Sequence, residues 1–273
     1  MNGPGTKTVM LIGLLLAGGC GNLSQRDQLL LDTAGIEPEV DYANLDQVLE
    51  RSLSKDRRIR PSRLGEVAKE LTAQLQLLAV TGPTVTPQLF ANDLEQLTYW
   101  YNARAAWSIK LIEAAGFPKK LPRGGIAGRK FSLDGRLMTL SQIDEEIEAL
   151  AGWKGVVAAP SAMMDRASLP EKAFTADQVR GMIDKRLNRF VDDGGRVVVD
   201  IPAMEVLIPP VLWQYRMKLT GKHNSDYRTE GANLLTALGP YVTGSARRKL
   251  QNAIGYEIVP APPSRIPAVL GRG

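Results

Sequence analysis

One stretch constrains the fold more than any other: residues 92–115, where apolar and aromatic side chains cover most of the circumference of a helix. Asn92 is a good N-cap, with Glu95 three residues on, where a capping-box carboxylate belongs. Gly116 and Pro118 end the segment. Leu94, Leu97, Tyr101, Ala105 and Ile112 share one face, with Trp100, Trp107 and Leu111 beside it. So wide an apolar surface does not face water, and the rest of the chain must enclose this helix.

The flanking segments read as further helices and two hairpins. Ser24 is placed to cap a helix through Leu31, and Leu45, Val48, Leu49 and Leu53 repeat at helical spacing. Pro61-Ser62 opens a helix with a stripe of Leu64, Val67, Ala68, Leu71, Leu75 and Leu78, stopped by Gly82-Pro83. Residues 129–140 read as a hairpin turning at Asp134-Gly135, and Ser141 as the cap of an acidic helix to Ala151. A strand is expected at 156–159, then a helix from Thr175 to Val191 and a second hairpin pairing 196–199 with 205–208. Pro209-Pro210 opens a helix to Leu219; two more helices, near 229–238 and 245–253, precede a strand at 256–259. The expected class is α+β, predominantly helical with two small β-hairpins in an antiparallel sheet. Residues 61–260 form one domain, behind a tether and first helices at 20–60. The tail 261–273, rich in Pro, Gly and Arg, is expected to be disordered.

The amino terminus has the layout of an export signal: one charge at Lys7, an apolar run from Val9 to Ala17, then small residues up to Cys20. The run is about half of the roughly 20 residues needed to span a bilayer. Leu16-Ala17-Gly18-Gly19-Cys20 resembles the bacterial lipobox, which implies removal of residues 1–19 and acylation, palmitate included, of the new amino-terminal cysteine. Several acyl chains bind a bilayer far more firmly than the single chain that binds only reversibly. The partner expected from this is the lipid bilayer through acylated Cys20, on the extracytoplasmic side. Gly21, where an Asp would favour inner-membrane retention, points to the outer membrane if the cell has one.

The net charge is +5, and loss of Lys7 with the leader leaves +4. The basic clusters lie in separate segments without interleaved aromatics, so nucleic acid is not an expected partner. The loop carrying Lys119, Lys120, Arg123, Arg129 and Lys130 is a candidate anion-binding loop, for anionic lipid or cell-wall polymer.

Cys20 is the only cysteine and His223 the only histidine. Disulfides within the mature domain, thiol catalysis and a structural zinc site are thereby excluded. His223 sits in a polar stretch that reads as a surface loop. Asp144, Glu145, Glu146 and Glu148 crowd one short helix and do not face one another as a glycosidase pair must. Gly124-Gly125-Ile126-Ala127-Gly128 lacks the ending of a phosphate-binding P-loop. No metal or cofactor is expected. Asn102, polar among large aromatics in mid-helix, must find partners if it is buried.

The order of short motifs resembles the family called domain of unknown function 547. Tyr99-Trp100-Tyr101-Asn102-Ala103 resembles its aromatic helix, and Thr139-Leu140 with Ile143-Asp144 resembles its turn into the next helix. Ala173-Phe174-Thr175-Ala176 resembles a later helix start, and the run from Val206 to Tyr215 its strand into a Trp-Tyr helix. Tyr256 resembles the start of the family's closing strand, so the resemblance covers roughly 85–260. Family members carry His and Cys between the acidic helix and the Ala173 motif, and a second Asn where Tyr99 stands here. Residues 153–170 contain neither His nor Cys. The resemblance therefore implies a family cleft near Asn102, Asp144, Tyr99 and Tyr101 that has lost its reactive groups. The reading that follows is a membrane-anchored lipoprotein with a non-catalytic binding or structural domain in the cell envelope, meeting an envelope protein or an anionic polymer. The alternatives are an envelope hydrolase using neither cysteine nor histidine chemistry in a cleft near Asn102, and an electrostatic binder of anionic lipid or cell-wall polymer.

Overall fold

The computed structural model describes residues 28–29 and 40–270. The lipobox and Cys20 lie outside them. Among the described residues, the chain runs β1 (Gln28–Leu29), α1 (Ala43–Ser52), α2 (Pro61–Glu66), α3 (Ala68–Val80), α4 (Asp93–Ala114), β2 (Lys130–Leu133), β3 (Arg136–Met138) and α5 (Leu140–Ala158). It continues through α6 (Ala176–Asp192), β4 (Val198–Asp200), β5 (Glu205–Ile208), α7 (Pro210–Trp213), α8 (Arg216–Tyr227), α9 (Leu234–Leu238), α10 (Gly244–Asn252) and β6 (Glu257–Pro260). The fold is α+β and mostly helical.

Helix α4 is the axis of the core, packed against α3, α5 and α6. The Asn92 carboxamide accepts the backbone N–H groups of Leu94 and Glu95 and so starts the helix. Every residue from Leu97 to Ile109 is buried. Trp107 stacks on Phe131 of β2 with ring centroids 4.2 Å apart, and Tyr101 meets Phe174 edge to face at 5.0 Å.

The β2–β3 hairpin turns at Asp134-Gly135, both with positive φ, 52° and 67°. The turn docks on the end of α3: the Asp134 and Gly135 N–H groups donate to the Leu78 and Ala79 carbonyls. The Asp134 carboxylate, buried, accepts the N–H groups of Thr84 and Val85. Gly82 lies so close that a Cβ there would stand 2.3 Å from Asp134 Oδ1.

Several expectations are corrected. The two hairpins do not share one antiparallel sheet. Each is the antiparallel half of its own three-stranded sheet, completed by a parallel strand, β1 beside β2 and β6 beside β5. Gln28–Leu29 is thus strand, not part of a helix from Ser24. The acidic helix is capped by Thr139, whose hydroxyl takes the Gln142 N–H in a reciprocal capping box, and not by Ser141. It continues past Gly152, which turns the chain with φ 63°, so residues 156–158 are helical and not a strand. Val156 and Val157 favour a strand locally, yet both are buried by α5's packing on α4 and α6, and packing decides. His223 lies on α8 beside Tyr227, not in a loop.

Residues 261–270 are not a disordered tail. They form an extended strap that crosses three segments. The Ala261 N–H donates to Ile208, the Ala268 N–H to Ala162 and the Leu270 N–H to Ile59, while Ile59 and Met164 donate to the Ala268 and Ile266 carbonyls. Proline removes N–H groups from such a segment, and of those that remain Ala261, Ser264, Ala268 and Leu270 donate to other segments, while Ile266 and Val269 donate to the Ser264 hydroxyl and Pro267 carbonyl of the strap itself.

Candidate functional site: an arginine-lined cleft

The site begins with a charge where the helix should carry none. Arg104 lies in the fully buried part of α4 and is 2 % exposed. A buried guanidinium requires a counter-charge. It finds Asp144 on α5: Nε donates to Oδ1 at 2.6 Å and an Nη to Oδ2 at 3.2 Å, a two-pronged contact. The remaining nitrogen donates to the Pro160 carbonyl. Arg166 adds a second guanidinium on Asp144 Oδ2. One carboxylate therefore holds two arginines from different parts of the chain.

These three residues stand at the floor of a cleft of about 660 Å³. Its lining includes the glycine-rich loop 123–127, with Arg123 on it, and Pro210, Val211 and Gln214 of the α7 segment. Leu140 and Ser141 of α5 and Ser264 and Arg265 of the strap line it as well. Arg265 is fixed by a reciprocal pair with Leu121: its Nε donates to the Leu121 carbonyl at 2.6 Å, and the Leu121 N–H donates back at 2.7 Å. The Ser264 N–H donates to Asp165 Oδ2 at 3.0 Å. Arg123 has no hydrogen-bond or ion-pair partner among the described residues.

Four guanidiniums, of Arg104, Arg123, Arg166 and Arg265, thus face two carboxylates, Asp144 and Asp165. Burial pushes the Asp144 carboxyl up, but Arg104 and Arg166 outweigh it and hold the group below its ordinary value of 3.8. Asp165 goes the other way: burial raises it, and the Ser264 N–H and Arg166 offset that only in part. Burial and the neighbouring Arg104 lower the pKa of Arg166, against the pull of Asp144. The surplus in the cleft is cationic.

Of the residues expected in a family cleft, only Asp144 is there. Asn102 is fully buried and not in the cleft. Its amide donates to the Phe174 carbonyl at 3.0 Å and its oxygen accepts the Phe174 N–H at 2.8 Å, clamping α4 to the segment before α6. The Tyr99 hydroxyl donates to the Leu78 and Thr81 carbonyls, and that of Tyr101 to the Gly155 carbonyl. Asn102 and the two tyrosine hydroxyls are thus occupied by backbone partners, and none of the three residues lines the cleft. Of the basic loop, Arg123 reaches the cleft; Lys119, Lys120 and Lys130 are exposed and Arg129 half-buried, and none of these four is on the cleft wall.

Arg104, Arg166, Arg265 and Asp165 were missed from sequence. For Arg104 a signal existed: a lone charge in mid-helix among residues that must be buried has to be paired. No comparable signal marks the others. No protein-family model matches the chain, and no curated protein or solved structure shows significant similarity to it.

Proposed function

We propose that this chain is an extracytoplasmic lipoprotein, tethered through acylated Cys20, whose domain binds an anionic group in the arginine-lined cleft without covalent chemistry. The observation that carries the binding reading is the cleft itself, where Arg123, Arg166 and Arg265 retain guanidinium N–H groups beyond those engaged among the described residues. Arginine's planar fork suits phosphate and carboxylate, and a concave site concentrates that preference. The lack of any cysteine after residue 20 supports a binding role over thiol chemistry. The motif order between residues 85 and 260 supports descent from the domain of unknown function 547 scaffold, with its reactive groups lost. Gly21 supports placement on the outer membrane where one exists.

The binding reading is tested by titrating the purified protein with inorganic phosphate and pyrophosphate by calorimetry at two salt concentrations. Binding that weakens with salt and falls about tenfold or more in Arg166→Gln supports it. Absence of binding by both anions refutes it, and turnover of a phosphoester lost in Asp144→Asn would replace it with an enzymatic one. The anchor is tested by intact mass and membrane fractionation beside Cys20→Ala. A shortened, acylated, membrane-bound wild type and a soluble variant support it; identical behaviour refutes it.

A further inference from the structure

A second cleft, of about 440 Å³, adjoins the first and shares Asp165, Pro210 and Ser264 with it. The Ser264–Asp165 hydrogen bond is therefore common ground between the two. Their chemistry differs. The second cleft lies between the strap and the β4–β5 hairpin, and most of its lining is carbon: Met164, Val198, Leu207, Pro262, Ile266 and Val269. Of its two arginines, Arg196 is engaged by Asp193 and by the Arg166 carbonyl, and Arg58 stands exposed at the protein surface. A cationic cleft thus lies beside an apolar one, with Asp165, Pro210 and Ser264 lining both.

Each volume falls in the range of ordinary small-ligand sites, about 300–1,000 Å³. A small inorganic anion would use the arginines and leave the apolar groove wet. A neutral hydrocarbon would do the reverse. Resting on the anion-binding reading above, we propose that the two clefts together bind a single-chain anionic amphiphile. Its phosphate or carboxylate head sits at Arg123, Arg166 and Arg265, and its hydrocarbon chain passes Asp165 and Ser264 into the groove beside Val198, Leu207 and Ile266. The ligand is taken as a dissolved monomer, because both clefts are concave, and a concave site encloses a molecule where a bilayer surface would need a flat or convex face.

The experiment is calorimetric titration of the full protein with inorganic phosphate and a series of alkyl phosphates of increasing chain length, below their micellar concentrations. Each methylene buried in the groove should tighten Kd about fourfold until the groove is full. Ile266→Gln alters a side chain that is 53 % exposed, so the variant should fold, and its backbone bond to Met164 does not involve the side chain. That variant, and separately Val198→Gln, should flatten the chain-length dependence while leaving phosphate binding intact, and Arg166→Gln should weaken every member of the series alike. Phosphate binding with no dependence on chain length overturns the amphiphile inference and leaves the anion cleft standing. A chain-length dependence unchanged in both Ile266→Gln and Val198→Gln places the hydrocarbon elsewhere and also overturns it. If neither phosphate nor any alkyl phosphate binds, the anion reading itself fails. Anionic vesicles that bind wild type and Arg166→Gln equally, while alkyl phosphates bind neither, would assign the attraction to bilayer surfaces and refute monomer capture.

Discussion

Replacing Asp144 with Asn keeps the shape of the side chain and removes its charge. Arg104, 2 % exposed, then loses the carboxylate it contacts, and Arg166, 17 % exposed in its side chain, loses its ion-pair partner, with Asp165 acting on both only at longer range. Removing one partner from a buried ion pair costs about 3–5 kcal/mol, because the remaining charge keeps its desolvation penalty. Asp144 itself is 20 % exposed, so water reaches part of the cluster and the lower end of that range, about 3 kcal/mol, is expected. For a domain of this size that is a fall in Tm of about 6–12 °C. Thermal and urea unfolding at neutral pH measure it directly. Arg166→Gln should cost less than Asp144→Asn, since Arg104 continues to neutralise the carboxylate. Because the guanidiniums hold Asp144 below 3.8, the unfolded chain binds its proton first as pH falls. The contribution is therefore fully present above 3.8 and is lost as pH drops through the folded value. Wild type and Asp144→Asn should converge in stability over that acid window. A neutral-pH cost below about 1 kcal/mol, the value of an ordinary exposed pair, would refute the account of Arg104 as a buried charge held by Asp144.

Three further outcomes follow from other parts of the structure. Asn102→Ala orphans both the N–H and the carbonyl of Phe174 inside the core and should cost about 2–4 kcal/mol in urea unfolding, with no effect on phosphate binding. Gly82→Ala drives a Cβ into an Asp134 carboxylate pinned by Thr84 and Val85, at a φ of +153° that side chains avoid. A loss of about 2 kcal/mol or more is expected by the same measurement. Asp165→Asn should stabilise at neutral pH, because burial raises the Asp165 carboxyl and the folded state carries a cost when it is ionised. That advantage should shrink as pH falls from the raised folded value toward 3.8, and a pH series of melting curves on both proteins reads it.

What could be read from the sequence was chemistry acting over a few residues. Asn92 caps α4 through N–H groups two and three positions away, and Asp134-Gly135 turns a hairpin because those two residues tolerate positive φ. The enclosed character of α4 followed from its own apolar circumference. Propensity misled where burial opposed it, at Val156 and Val157, and where composition stood in for packing, in the strap beyond Pro260, whose Ala261, Ala268 and Leu270 N–H groups donate to residues far along the chain. The assembly of the cleft belongs to the tertiary structure, although Asp144 and Arg123 each stood out in the sequence. Arg104 and Asp144 are 40 positions apart, Asp144 and Arg166 22, and Arg265 and Leu121 144, so no periodicity links them. Only the packing of α5 on α4, with the strap fixed beside the segment that carries Arg166, removes enough water to make one carboxylate the shared partner of two arginines and to leave the remaining guanidiniums facing a common space.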